Sequence, residues 1–256
     1  MEERKNDTQA AVVEVSHLYK SFEGIDVLKD FNIQLYKGEN LVIIGRSGVG
    51  KSVLIKCIVG LVRPDNGTIK LLGKNILEIK HKELDDLRVK IGFLFQGSAL
   101  YDSMTVRENL EFSLRRKMKH LTEVDIDKMV KHALEDVGLP NTAEMMPSEL
   151  SGGMLKRIAL ARALILKPSV MFYDEPTAGL DPVTGREISE LIVKVQKQYN
   201  TSSIIITHDL LCAKITATRV AMLIDGICYK EGTFEEIKKS EDNKVKQFFT
   251  ESVEQN

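Results

Sequence analysis

The sequence predicts an α/β fold: a parallel-sheet core with an antiparallel side sheet and an inserted helical subdomain. Three observations predict it. Short apolar runs of strand length recur along the chain, and stretches of helical periodicity separate them. Between about residues 97 and 165 the strand signals give way to helical ones.

Residues 1–11 are polar at their start and read as a flexible tail. Residues 12–18 alternate as a half-buried strand does. The run 41–44 is wholly apolar and stops at Gly45, and a helical stretch begins near Lys51. Residues 68–72, 91–95, 170–173 and 203–206 are further strand candidates, buried by their composition. Within the insert, Thr105 and Glu108 have capping-box spacing. Ile126, Met129, Val130, Ala133, Leu134 and Val137 then fall on one helical face. Asp181-Pro182 reads as an N-cap followed by the first residue of a helix, and Ile188, Leu191, Ile192 and Val195 give that helix an apolar stripe. Asp225-Gly226 joins residues 220–224 to 227–230 as a tight hairpin. From Phe234 the chain is charged and helical. The expected organisation is one domain over 12–232 and a helical extension over 233–256. The antiparallel pieces at the two ends of the chain are expected to form the side sheet.

Composition narrows the function. A hydrophobic share of 43% provides ample core material for one large domain. A formal net charge of −1 argues against a polyanion as the main ligand, and the lack of Trp argues against a stacking platform for bases, so no nucleic acid is expected. Cys57, Cys212 and Cys228 are widely spaced and form no CxxC pair, which suits a reducing compartment. The longest apolar runs fall far short of the ~20 residues a spanning helix needs. Any membrane role is therefore expected to come through partners.

The chemistry is concentrated in two places. Gly45-Arg46-Ser47-Gly48-Val49-Gly50-Lys51-Ser52 fits GxxxxGK[ST] between a strand and a helix, the context that identifies a phosphate-binding P-loop. Its glycines let backbone N–H groups turn inward, and the helix start behind adds positive potential. Lys51 would then reach the β- and γ-phosphates, and Ser52 would ligate Mg²⁺. Residues 170–175 are an apolar run ending in Asp174 and Glu175, which sets two carboxylates at a strand's C-terminal end. Asp174 is the candidate to hold Mg²⁺ through water, and Glu175 the candidate general base. A third stretch, Ser151-Gly152-Gly153, opens another helix. Its hydroxyl and two glycines suit an anion, so the chain holds two phosphate-binding helix starts but one lysine-bearing loop.

Leu150-Ser151-Gly152-Gly153-Met154 resembles the LSGGQ signature of the ABC ATPases. The resemblance runs from about residue 12 to 232. It takes in Gln96 after an apolar strand (the Q-loop), Ala178-Gly179-Leu180-Asp181 (the D-loop) and His208 after residues 204–207 (the H-loop). It implies a RecA-like P-loop NTPase core and ATP hydrolysis with Mg²⁺. It places Gln96 at the metal and γ-phosphate, His208 with Glu175 in catalysis, and Asp181 among the nucleotide contacts. Val53, where most relatives carry Thr, completes the nucleotide-binding stretch 45–53. An aromatic that stacks on adenine is implied near residue 20. Position favours Phe22, with Tyr19 as the alternative. In the family the signature of one subunit closes over nucleotide held by the other, which implies a homodimer with Ser151, Gly152 and Gly153 facing the partner's P-loop.

Met154 in place of Gln, Val53 after Ser52, and the segment Gly97-Ser98-Ala99-Leu100-Tyr101-Asp102-Ser103-Met104-Thr105-Val106 look like the Mce/Mla branch, whose ATPases move lipids between membranes. That likeness implies integral-membrane permease subunits, an Mce-type lipid-binding subunit, and a position on the cytoplasmic face of the inner membrane. Residues 97–105 are expected to line the groove for a permease helix, with Ala99, Leu100, Tyr101 and Met104 as apolar contacts. The alternatives are an ABC ATPase for another substrate, such as an amino acid, and a non-transport ABC ATPase of envelope remodelling.

Overall fold

The fold is a computed structural model that describes residues 10–254, with side chains described to residue 251. Nearly all of the predicted tail at residues 1–11 lies outside the described residues. The chain runs β1 (Ala11–Phe22), β2 (Ile25–Tyr36), β3 (Asn40–Ile44), α1 (Lys51–Ile58), β4 (Asn66–Leu71), β5 (Lys74–Asn75), α2 (His81–Arg88) and β6 (Ile91–Leu94). It continues through α3 (Val106–Lys117), α4 (Glu123–Asp136), α5 (Gly152–Leu164), β7 (Val170–Asp174), α6 (Pro182–Tyr199), β8 (Ser202–Thr207) and α7 (Leu210–Thr216). It ends with β9 (Arg219–Ile224), β10 (Ile227–Gly232), α8 (Phe234–Lys238) and α9 (Asn243–Glu254).

The main sheet has the order β10-β9-β3-β8-β7-β6. Its strands are parallel except β10, which pairs antiparallel with β9 at the edge. β3 explains why the sheet is central. Val42 and Ile44 point into one core with the helices that follow β6, and Leu41 and Ile43 point into a second core with α1 and the other sheet. All four are fully buried, and burying one such side chain contributes ~1.5–3 kcal/mol. A strand covered on both faces reads as an unbroken apolar run, which is how residues 41–44 look in the sequence.

The second sheet is antiparallel, in the order β2-β1-β4-β5. The expectation that both chain ends contribute to it is half wrong. The C-terminal hairpin β9–β10 forms as predicted, with Asp225 at φ 52° and Gly226 at φ 84°, but β9 lies parallel beside β3 in the main sheet. The helix α7 carries the chain from β8 to β9, and a crossover of that kind delivers a parallel neighbour. The hairpin tip touches the side sheet, where the Lys29 N–H donates to the Gly226 carbonyl at 2.8 Å.

Between β6 and β7 the chain carries α3, α4 and α5. Thr105 and Glu108 form the predicted capping box on α3, and Thr122 with Asp125 forms another on α4. Ile126, Val130, Ala133, Leu134 and Val137 are buried against α5, as the stripe predicts. Among the described residues, no helix is long and apolar enough to cross a membrane.

Candidate functional site

The site forms where β3 hands the chain to α1. Gly50 makes this turn possible. Its φ is +106°, and a Cβ there would lie 2.6 Å from the Val27 side chain. Gly50 caps α1 without any side-chain acceptor, so the first-turn N–H groups of α1 remain oriented for an anion. Lys51 comes next and is buried. Its ammonium donates to the carbonyls of Gly45 at 2.7 Å and Arg46 at 3.1 Å, and Glu175 Oε1 lies 3.4 Å away. Burial pulls the ammonium below the ordinary lysine pKa, and the Glu175 charge opposes that pull.

β7 delivers the two carboxylates. Asp174 ends the strand and accepts from the Ser52 hydroxyl at 3.0 Å. Burial raises the Asp174 pKa above the usual carboxylate value, against the Ser52 hydrogen bond. Glu175 lies one residue further, at φ 47°, a conformation uncommon for a side chain with a Cβ. Its N–H donates to the Ile206 carbonyl at 2.9 Å, which ties the turn to β8. Its Oε2 accepts from the His208 N–H at 3.2 Å and lies 2.9 Å from His208 Nδ1. Glu175 is thus held between a lysine and a histidine, with its two oxygens on different partners.

A cavity of about 290 Å³ opens over this group, lined by the P-loop, Gln96, Glu175 and His208. The fold therefore brings Ser47, Gly48, Gly50, Lys51, Ser52 and Val53 together with Gln96, Glu175 and His208, which are distant in the chain. Asp174 lies beneath Ser52. Arg46 stands on the outer side of the loop and pairs with Glu251 of α9 at 2.7 Å. The donors fit Mg²⁺ and ATP. Ser52 and Asp174 offer a hydroxyl and a carboxylate side by side, and among the described residues no group of three or more His, Cys, Asp or Glu could hold a metal alone. Mg²⁺ takes one or two protein ligands of this kind and completes its shell with substrate phosphates and water.

Other predicted residues stand apart from this cavity. Ser151 caps α5, where its hydroxyl accepts from the Met154 N–H at 3.3 Å. Gly153 is held close to α6, since a Cβ there would lie 2.6 Å from the Thr184 side chain. Asp181 accepts from the Val183 and Thr184 N–H groups at 3.1 Å as the N-cap of α6. Phe22 and Tyr19 are both exposed, and the Lys20 ammonium lies 4.9 Å from the Phe22 ring centre. Sequence reasoning missed Lys156, a buried lysine on α5 whose ammonium donates to the Gln96 carbonyl. It also missed Asn109, which is fully buried and binds backbone at Tyr101, Met104 and Thr105.

Comparison with known proteins gives the same picture. The sequence profile of the ABC transporter family matches residues 28–178. The protein named "Probable ribonucleotide transport ATP-binding protein mkl" of Mycobacterium leprae is 38% identical over 236 residues, covering 92% of this chain and 68% of that protein. The chain thus spans about two thirds of that relative's length. The "Intermembrane phospholipid transport system ATP-binding protein MlaF" of Haemophilus influenzae is 38% identical over 222 residues, covering 87% of this chain and 84% of that one. Among solved structures, a dimeric ATP-binding cassette in a post-hydrolysis state with ADP and Pi superposes with a TM-score of 0.79 at 30% identity, covering 87% of this chain and 98% of that one. Likeness of this extent, on top of a cavity that sets a buried lysine against a carboxylate at a strand end, makes the chain a member of the ABC transporter family: an ATP-binding cassette, and an ATPase that acts on ATP with Mg²⁺.

Proposed function

We propose that this cassette works as a homodimer on the cytoplasmic face of the inner membrane and powers lipid transfer between membranes through a permease partner. In the hydrolytic step Lys51 would neutralise the β- and γ-phosphates, Ser52 and Asp174 would hold Mg²⁺, and Glu175 would take a proton from the attacking water. His208 would hold the Glu175 carboxylate in place, and Gln96, which also lines the cavity, would reach toward the metal and γ-phosphate. The observation that carries this reading is the suspension of Glu175 between Lys51 and His208, at 3.4 and 2.9 Å. A buried carboxylate with both oxygens engaged is oriented before substrate arrives, which is what a positioned base requires. The signature residues Ser151, Gly152 and Gly153, with Asp181, act on nucleotide held by the second subunit, and Phe22 carries the adenine. Support for the pairing comes from their absence from the P-loop cavity of their own chain and from the dimeric state of the solved cassette.

Lipid as cargo is supported by the MlaF likeness together with the Met154 and Val53 signature. A ribonucleotide-transport relative of equal identity keeps the cargo a matter for experiment. The permease partner is supported by a groove of about 520 Å³ where Phe95, Ala99, Tyr101 and Phe112 meet Arg116 and Arg162. Leu100 departs from expectation, since it packs against the core of its own chain. Tyr101, 44% exposed, is therefore the position to change. Tyr101→Asp should release the permease from membranes solubilised in mild detergent while ATP binding persists, because docking would bury an unpaired charge. Mass spectrometry of the parent complex should then find phospholipid in it. Retention of the permease by the variant, or a complex carrying ribonucleotide and no lipid, would overturn the reading.

A further inference from the structure

Lys156 is a buried ammonium that the hydrolytic step does not use. It projects from the first turns of α5, five residues after Ser151, and is 5% exposed. Its ammonium donates to the Gln96 carbonyl. Burial lowers its pKa from the ordinary lysine value, and the fields of Asp174 and Glu175 act the other way. A charge held in such a place is costly unless a fixed geometry compensates for it.

The segment it holds is itself under constraint. Ser98 and Ala99 have φ of 61° and 53°, and the Ala99 N–H closes on the Gly97 carbonyl at 2.6 Å. Two successive residues with a Cβ in the left-handed region persist only where the surroundings fix them. The surroundings here are α5 again. Arg162, from the same helix, donates to the Ser98 carbonyl at 3.2 Å and lies 5.9 Å from the Tyr101 ring centre. Two cations of one helix thus grip the carbonyls of residues 96 and 98. A displacement of α5 would therefore act directly on the backbone of Gln96.

We propose that Lys156 is a positioning residue for hydrolysis: it fixes where the Gln96 side chain enters the nucleotide cavity and couples that position to the helix that Ser151 begins. The inference rests on the reading that Gln96 acts at the metal and γ-phosphate, and goes beyond it by naming what sets Gln96. A signature helix drawn toward nucleotide at its N-terminus would carry the Gln96 backbone with it. Closure of the α5 start and completion of the opposite, P-loop site in the same chain would then be one motion.

The test compares Lys156→Met, Lys156→Gln, Lys156→Arg, Gln96→Ala and the double variant Lys156→Met/Gln96→Ala in the full chain. ATP turnover is measured over a range of ATP and Mg²⁺, with amide hydrogen exchange across residues 95–100 as a readout independent of activity. Lys156→Met should lower kcat by roughly 10- to 100-fold, the scale of a misplaced positioning group, with KM for ATP changed by less than about threefold. Lys156→Arg should restore most of the turnover, and Lys156→Gln should fall between the two. Exchange at residues 97–99 should accelerate in Lys156→Met while α5 itself stays protected. The double variant should be no slower than Gln96→Ala, because the two act on one step. Additive losses in the double variant, or normal turnover in Lys156→Met beside a defective Gln96→Ala, would overturn this inference alone. Normal turnover in Gln96→Ala would instead remove the underlying reading of Gln96, and this inference with it. If Lys156→Met does not fold, the ordering of Lys156→Gln below Lys156→Arg, and its exchange pattern, decide the matter.

Discussion

Two helices in this chain open at phosphate-binding motifs, and they are built in opposite ways. α1 begins at Gly50, with no side chain capping it, a buried lysine in its first turn and two buried carboxylates beside it. α5 begins at Ser151, whose hydroxyl already caps its own Met154 N–H, with Ser151 and Gly152 exposed and no charge facing outward from the first turn. The α1 start is thus a complete site that stores unfavourable electrostatics, burying Lys51, Asp174 and Glu175 together. The α5 start is relaxed and incomplete, able to add backbone donors to an anion that something else brings. On the proposed reading the α5 start serves a nucleotide bound by a second subunit, and the difference between the two starts is what that pairing would explain.

On the proposed reading the bond-making chemistry lies on the α1 side, and removing the base should show the largest effect. Glu175→Gln keeps the shape and one acceptor oxygen but cannot take a proton. ATP hydrolysis should fall by roughly 10²- to 10⁴-fold while ATP binding is retained. Turnover and equilibrium binding on the same preparation check this. Near-parental turnover would mean that the base lies elsewhere and that the held carboxylate is a structural ion pair.

A second prediction separates the two starts by affinity. Lys51→Ala removes a buried, charge-assisted donor, and ATP binding to the isolated chain should weaken by roughly 10- to 100-fold, as the loss of ~1.5–3 kcal/mol implies. Ser151→Ala should leave the affinity of the isolated chain unchanged, yet slow hydrolysis in the assembled pair. A cross-linker at residue 151 should then reach the P-loop of the second subunit in the ATP state. Reaction only within one chain would collapse the distinction between a complete start and an incomplete one.

Much of the α1 side was legible in sequence because local rules dictate it. The P-loop glycines, the strand that ends in Asp174 and the Asp181-Pro182 helix start all depend on near neighbours in the chain. β2 escaped notice for an equally local reason. Asp30 sits at φ 51°, and the irregular pairing there spaces the buried residues as Leu28, Phe31, Ile33 and Leu35, which breaks the two-residue period that announces a strand. The place of β9 beside β3 could not be read from the hairpin, since pairing partners 178 residues apart leave no mark on local periodicity. Lys156 and Arg162 were invisible for a different cause. A lysine and an arginine on a helix ordinarily face water, and only packing of α5 against the segment after β6 turns them inward.

The smallest effect is the sharpest test, because the two starts should respond with opposite signs. Ser151→Ala removes a satisfied cap in a relaxed region, a loss of ~1 kcal/mol. That should lower the thermal midpoint by about 2–4 °C for a chain of this length. Asp174→Asn acts in the strained region. Burial raises the Asp174 pKa, so its charged form destabilises the fold, and its stabilising contribution is present at acid pH and lost as pH rises through the raised value. At neutral pH the carboxylate therefore costs stability, whereas asparagine keeps an oxygen for the Ser52 hydroxyl and carries no charge. Asp174→Asn should raise the midpoint of the nucleotide-free chain by a few degrees, on the scale of ~1 kcal/mol, while abolishing Mg²⁺-dependent turnover. The gain should be full at neutral pH and shrink as pH falls through the raised carboxyl pKa, where the parent also becomes uncharged. Melting curves of both variants at two pH values decide it. A lowered midpoint for Asp174→Asn at neutral pH would show that Lys51 and its neighbours more than compensate the buried carboxylate, and the α1 start would then be as relaxed as the α5 start.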